Sequence, residues 1–496
     1  MDDIRRIVDE LLLGVRPASR GQTRVYPSSI YSAGDTRILQ IWRSGERLLL
    51  AAGRGPLFEE LPGTKIDGFK LAPLEGMTRR VLNRHFPQTL PAAAGRSKSG
   101  IGLGDRLGLA TPGHIRAVRD RDIFPVLAQQ SMRELNLTGR TYSDVLNSAC
   151  FGSMREGYML GFGADGDHLK SGEDISAALE EGFSMITLDC SEHLDPEMES
   201  MGMSELKRRY AKLPQSVRRD YEMAYAGKEF LVEGAEISFD KMELARCILL
   251  YSGVIDFAER VYHERIASSG RDIDFELSID ETTAPTSPEA HYLVAAELAR
   301  RGVRLTSLAP RFYGEFQKGV EYRGDTERFG REFAVHAAVA DKFGYRLSVH
   351  SGSDKFSVLP AVGELTNGRF HLKTAGTSWL EAVRLIAGKY PSLYRRVYAR
   401  ALESFNEARR FYRVSAEVSS LRRPDSLSDE ELAAGIDDES TRQVLHISYG
   451  FILHGEPGGR PDTLGREFLA AVEGEEELYS DMLGRHIGKH LELLGK

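Results

Sequence analysis

Cysteine is scarce in this chain: Cys150, Cys190 and Cys247 are all it has among 496 residues. The number is odd and none sits in a C-x-x-C pair, which argues against a disulfide framework and against a thiolate zinc knuckle. Long apolar runs are missing too. No stretch approaches the roughly 20 apolar residues that a membrane span needs. The N-terminus, MDDIRRIVDELLLG, is acidic and amphipathic rather than a signal peptide. The expected location is the cytoplasm, with no membrane partner. A basic excess is also absent. Lys and Arg number 65 against 73 Asp and Glu, a net charge of −8, so no positive field is available to hold a nucleic-acid backbone. Low-complexity tracts and solenoid repeats are lacking.

A dinucleotide fingerprint is missing as well. The segment Gly100-Ile-Gly102-Leu-Gly104-Asp105-Arg106-Leu-Gly108 is rich in glycine but lacks the G-x-G-x-x-G order. Its bare glycines read better as close backbone packing where a first strand enters a barrel.

What is present is a rhythm. From about residue 97, short apolar runs alternate with helical patterns, eight times over. The runs are Gly100–Gly104, Phe124–Gln129, Met159–Asp165, Met185–Asp189, Phe275–Asp280, Arg304–Ala309, Arg346–His350 and Phe370–Thr374. Helix starts follow several of them: Thr111-Pro112, Ser287-Pro288, and Ser378 with Glu381 as a capping box. Eight βα units predict an α/β fold, a (β/α)₈ TIM-like barrel. The expected organisation is an N-terminal accessory segment at 1–96, a barrel at 97–400 interrupted after strand four by an insertion at about 194–272, and a C-terminal helical extension at 401–496. The insertion leaves from the C-terminal end of a strand, where it would serve as a lid or as an oligomer contact. In the extension, Leu393–Val414 and Thr463–Leu494 are broadly amphipathic.

Ionisable residues collect at the ends of the proposed strands, where barrel enzymes build their sites. Asp165, Asp167 and His168 follow strand three, and Asp189, Glu192 and His193 close strand four. Asp280 and Glu281 end strand five, while Arg311, Gln317 and Lys318 follow strand six. His350, Ser351, Asp354 and Lys355 follow strand seven, and Lys373 lies in strand eight. Imidazoles with a carboxylate suit a zinc, manganese or similar ion with open positions. Arg311, Lys318 and Lys355 would pair with an acidic substrate, with Gln317 and Ser351 beside them. Each residue also has a plain role. His168 would bond a loop carbonyl, Asp165 and Asp167 would bind turn amides, and Asp280-Glu281 would cap a helix. His336 reads as core; His263, His291, His486 and His490 read as helix surface.

The segments GIGLGDRLGLATPGHI, GFGADGDHLK, ITLDCSEH, LSIDETTAPTSPEAH and LSVHSGSDKFS resemble the tagaturonate epimerase family. That resemblance implies a barrel enzyme interconverting tagaturonate and fructuronate, or a related ketohexose 4-epimerase. It implies a divalent metal, zinc first, with manganese or nickel as alternatives. His168 and His350 fall at the expected ligand positions and Glu281 is the third choice, with Asp280 and His193 as substitutes. The expected chemistry is a retro-aldol cleavage and re-addition, with Asp165 and Asp189 moving the protons. A metal-dependent aldolase or ketose isomerase, and a sugar-binding protein without activity, are the alternatives. The expected partner is a small sugar acid or ketose, with a homo-oligomer left open.

Overall fold

The eight apolar runs close into one sheet. In the computed structural model, which describes residues 2–195, 197–456 and 458–496, the barrel strands are Gly100–Leu103, Phe124–Ser131, Gly163–Leu169, Met185–Asp189, Asp274–Ile279, Ser307–Pro310, Arg346–Val349 and Phe370–Thr374. Each pairs in parallel with its neighbours in sequence, and the eighth pairs with the first. The helices that follow the strands pack their apolar faces on the outside of the sheet, in one core with Phe275, Leu277 and Ile279 of the fifth strand.

The interior of this barrel is polar. Along the fifth strand the residues between the apolar ones, Glu276 and Ser278, turn inward, as the two-residue period of a strand requires. Bulk inside is offset by glycines on the first strand. A Cβ on Gly100 would lie 2.6 Å from His371 Nδ1, and one on Gly102 would lie 2.3 Å from Gln129 Oε1. The glycine-rich segment is therefore packing, as its composition suggested.

The third strand differs from its expected range, Met159–Asp165. The apolar pair Met159-Leu160 is exposed in the preceding loop, and the strand runs from Gly163 to Leu169. The chain bends at Gly161, φ +83°, a left-handed conformation that glycine takes without strain.

Before the barrel lies a small antiparallel sheet. Its central hairpin, Thr36–Arg43 with Glu46–Ala52, turns through Ser44 and Gly45, both with positive φ, as a two-residue hairpin requires. The helix Asp2–Leu13 buries Ile4, Ile7, Val8 and Leu11 on one face of this sheet, while Ile38, Leu49 and Ala51 on the other face join the barrel core. The insertion after the fourth strand contributes helices Met203–Lys212, Gln215–Tyr225 and Lys241–Val261 and a hairpin, Glu229–Val232 with Ala235–Ser238. It lies along the outside of the barrel: Tyr225 bonds Glu297, and Phe230 packs on Tyr292, both on the helix Pro288–Arg300.

After the eighth strand the chain builds a second core around Trp379, which stacks on Phe468 and donates to the Leu445 carbonyl. The expected capping box does not form. Ser378 lies inside the helix Thr377–Lys389, where its hydroxyl bonds His114. The expected helix Leu393–Val414 ends at Ala408, because Tyr412 turns inward to meet the Tyr449 hydroxyl at 2.7 Å. Thr463–Leu494 divides at Glu475 into Thr463–Gly474 and Glu476–Leu493. His291 and His490, expected on helix surfaces, are fully buried. Tyr345 and His336 flank His291, and His490 accepts the Asp354 N–H.

Glu476 joins the first and last parts of the chain. Its carboxylate takes Arg24, Arg47, Arg155 and the Tyr26 hydroxyl. Burial disfavours its charge, but Arg155, Arg47 and Arg24 outweigh this and hold its pKa below the ordinary glutamate value. A depressed carboxylate stabilises above its unfolded pKa, and the contribution fades as pH falls through the folded one. Glu476→Gln is therefore expected to cost about 3 kcal/mol at pH 7, read as a lower Tm in calorimetry. The gap to the unsubstituted protein should narrow below about pH 4. An unchanged Tm at pH 7 would refute it.

Candidate active site

Three elements bring the histidines and a carboxylate to the C-terminal mouth of the barrel. His350 follows the seventh strand directly, and Asp280 follows the fifth. His168 arrives differently. Strand alternation would put it on the face opposite Asp167, but its φ is +56° and the pairing register of this strand slips on both sides. The left-handed residue turns the ring into the mouth beside Asp167, at a conformational cost of about 1 kcal/mol. One imidazole nitrogen from each histidine and a carboxylate oxygen of Asp280 lie within 4.8 Å of one another. The two imidazole rings are 4.9 Å apart.

Each member of the trio is fixed from behind. His168 Nδ1 is 2.8 Å from Asp167 Oδ1, and His350 Nε2 is 2.8 Å from Glu276 Oε1. The Ser278 hydroxyl donates to Asp280 Oδ1. Beneath them Lys373 Nζ lies 2.8 Å from Asp165, 2.7 Å from Asp167 and 2.9 Å from Glu276. Burial of this group pushes the Asp165 pKa up to about 6 even with Lys373 beside it. Burial also works against a charged His350, but the Asp280 carboxylate, and then His350's own hydrogen bond to Glu276, raise its pKa to about 9.

The donor set fits a divalent cation. His350 Nδ1 is buried and makes no hydrogen bond, although Asp280 Oδ2 is 3.2 Å away. With its pKa raised by Asp280, that nitrogen carries a proton when no cation is bound, and a cation would take the proton's place between imidazole and carboxylate. Three buried carboxylates (Asp165, Asp167, Glu276) face the single ammonium of Lys373, and Asp280 adds a fourth beside His350; such a gathering of negative charge suits a cation.

Asp280 and His350 of the trio line a cleft of about 670 Å³. Asp280, Glu281, His350 and Ser351 line one side; Arg311, Gln317 and Lys318 line another. The rest of the wall comes from Arg133 and from the irregular segment Arg409–Val414. That segment is held in place by Arg133, which donates to the Phe411 carbonyl, and by Gln317 Oε1, which accepts the Ser415 N–H. No described residue of the insertion after strand four lines this cleft.

Several sequence-based assignments change. The carboxylate that joins the two histidines is Asp280; Glu281 is exposed on the cleft wall. His193 stacks on Phe257, away from the trio. Asp165 is fully buried, with its oxygens taken by Thr187 and Lys373, so it does not face a substrate. Asp189 caps the Ser191 N–H and sits 3.7 Å from Lys170 Nζ, outside the cleft wall. Lys355 is 1% exposed, and its ammonium donates to the carbonyls of Gln317, Val320 and Ser353. It braces two loops instead of meeting a carboxylate, and burial lowers its pKa to about 8. Asp354, His486 and His490 form a second group, but both His490 nitrogens are used, one by the Asp354 N–H and one by the His486 carbonyl. Glu276, Arg133 and the arginines of 409–413 had not been singled out. The polar alternation of Phe275-Glu276-Leu277-Ser278 was the available signal for Glu276; no local signal marked the others.

A closed parallel barrel with ionisable residues gathered at its C-terminal mouth defines a (β/α)₈ enzyme. The profile of the tagaturonate epimerase family (UxaE) matches residues 26–494. The tagaturonate/fructuronate epimerase of Thermotoga maritima is 43% identical over 418 residues, 84% of each chain. The native crystal structure of the fructuronate-tagaturonate epimerase UxaE from Cohnella laeviribosi superposes with a TM-score of 0.94, at 50% identity over the whole of both chains. A form of that enzyme complexed with one glycerol gives the same score at 49% identity. The chain belongs to the tagaturonate epimerase family and is an isomerase-class enzyme.

With Asp280 in the trio and Glu281 on the wall, the two carboxylates separate by experiment. Asp280→Asn should lose bound divalent metal and lower turnover about 100-fold, while Glu281→Gln keeps its metal. Metal analysis of the purified variants checks this, and metal loss confined to Glu281→Gln would reverse the assignment.

Proposed function

We propose that this protein interconverts tagaturonate and fructuronate, the compounds its relatives are named for, with a divalent cation held by His168, Asp280 and His350. The observation that carries the reading is a cation-fitting donor set whose Asp280 and His350 share one cleft with a basic opposite wall, Arg133, Arg311, Arg409, Arg410 and Arg413. A keto sugar acid has ketone and hydroxyl oxygens at one end and a carboxylate at the other. The wall suits the carboxylate, for which arginine offers two parallel donors. A neutral ketohexose would leave those charges unpaired, so the acid is favoured over a ketohexose 4-epimerase.

The inverted carbon lies two bonds from the ketone, and its hydrogen is not acidic. Direct removal and return of that proton is therefore unfavourable. In a retro-aldol route the hydroxyl on that carbon gives its proton to a base. The bond to the carbon next to the ketone then breaks, leaving an aldehyde and an enediolate. The aldehyde turns, the bond re-forms on its other face, and the proton returns to the oxygen. No co-reactant is needed. A bound cation would withdraw electrons from the ketone oxygen.

The chain's own residues supply the rest. The base has to face the cleft, which favours Lys318 over the enclosed Asp165. Burial, with Arg133 nearby, lowers the Lys318 pKa below the usual lysine value, which eases acceptance and return of a proton near neutral pH. Segment 409–414 covers the mouth from the side and keeps two fragments from separating.

An NMR assay of tagaturonate, with and without a chelator, tests the reaction. Cation-dependent appearance of fructuronate is expected. Two three-carbon products would make the protein an aldolase, and turnover of tagatose alone would make it a ketohexose epimerase. For the basic wall, Arg311→Met is expected to lower kcat/KM for tagaturonate about 10- to 100-fold by loss of a charge-assisted bond. Any slow turnover of tagatose should be unchanged; equal losses on both substrates would take Arg311 out of carboxylate recognition.

A further inference from the structure

The two histidines are held by different nitrogens, and the two carboxylates that hold them meet on one ammonium. Asp167 Oδ1, the atom 2.8 Å from His168 Nδ1, is also the atom 2.7 Å from Lys373 Nζ. Glu276 Oε1, 2.8 Å from His350 Nε2, is 2.9 Å from the same Nζ. His168, Asp167, Lys373, Glu276 and His350 thus form one unbroken chain across the barrel, from the third strand through the eighth and fifth to the residue that ends the seventh. We propose that Lys373 is a positioning residue that fixes the two imidazoles in opposite tautomers, with the hydrogen of His168 on Nδ1 and that of His350 on Nε2. The inference rests on the reading of these histidines as cation ligands.

The argument is one of hydrogen counting. A carboxylate beside a buried ammonium is an acceptor only. Each carboxylate–imidazole contact therefore needs its hydrogen on the ring. His168 then offers Nε2 and His350 offers Nδ1. The latter is the buried atom without a hydrogen-bond partner, facing Asp280. The other carboxylate oxygens are anchored as well: Gln129 donates to Asp167 Oδ2 and Ser307 to Glu276 Oε2. Neither carboxylate can rotate without breaking a second bond. Lys373 itself is 3% exposed and donates to Asp165, Asp167 and Thr187, so it has no hydrogen left for a substrate, and its link to Glu276 Oε1 is an ion pair. Its effect on chemistry passes through the histidines. Such outer partners commonly set ligand affinity by 10- to 100-fold.

Lys373→Met is the direct test. Because it leaves buried carboxylates without their ammonium, Asp165→Asn/Lys373→Met serves as the second variant: it removes one negative and one positive charge together and keeps the buried group's net charge. In ¹⁵N-histidine-labelled protein, two slowly exchanging ring N–H signals are expected, His168 Hδ1 and His350 Hε2. In either variant both signals should weaken or shift together, and zinc affinity by chelator competition should fall 10- to 100-fold. Unchanged signals and zinc affinity in the double variant would overturn the proposal, as would a hydrogen on His350 Nδ1 in the zinc-loaded wild type. A wild-type protein that shows both signals but binds no zinc would remove the cation reading and leave the positioning role standing.

Discussion

One buried ammonium balances the interior of this barrel. Lys373 holds Asp165, Asp167 and Glu276 within hydrogen-bonding distance of a single nitrogen, in a space closed to water. Without a counter-charge, three carboxylates there would repel one another and take up protons. With it, two of them stay acceptors and aim a histidine each at the mouth. The excess negative charge that remains is what a cation at the mouth would neutralise. Structure and chemistry meet at that balance.

The scaffold keeps the balance precise. Glycines on the first strand make room for His371 and Gln129 inside the sheet. His350 stands on a loop tied down at several points. Asp354 of that loop, at φ +61°, is gripped by Arg442 and His486, and Lys355 reaches back to the loop after strand six. The C-terminal helices are therefore part of the site's support. They also supply its outer wall, since Arg409–Val414 leaves its helix where Tyr412 anchors on Tyr449. Loops clamped from three directions have little freedom, which suits a site that must hold its substrate in one orientation.

Strand periodicity and helix starts were enough to read eight βα units, and the polar residues closing the strands pointed to the face where His168, Asp280 and His350 gather. His168 and His350 were legible because each ends or nearly ends an apolar run. The choice between Asp280 and Glu281 was not. Adjacent residues on a strand end point to opposite sides, and which one faces inward depends on a register that only the neighbouring strands set. Lys355 looked like a substrate cation because its loop follows a strand end; the carbonyls of Gln317 and Val320 on the loop after strand six, and of Ser353 on its own loop, claim it instead.

The sequence by itself determined the family, the barrel and the mouth at which ionisable groups collect, because these follow from local period and from motifs carried in short segments. Tertiary structure alone decided which of those groups share a site. His168 enters it through a strained residue in a slipped strand. Lys373 joins the carboxylates behind His168 and His350, one of them 206 positions away in sequence. The arginines of 409–413 reach the cleft because a buried tyrosine breaks a helix that its own sequence would have continued. Each of these depends on contacts between distant parts of the chain, whose energies outweigh the local preferences that a sequence displays.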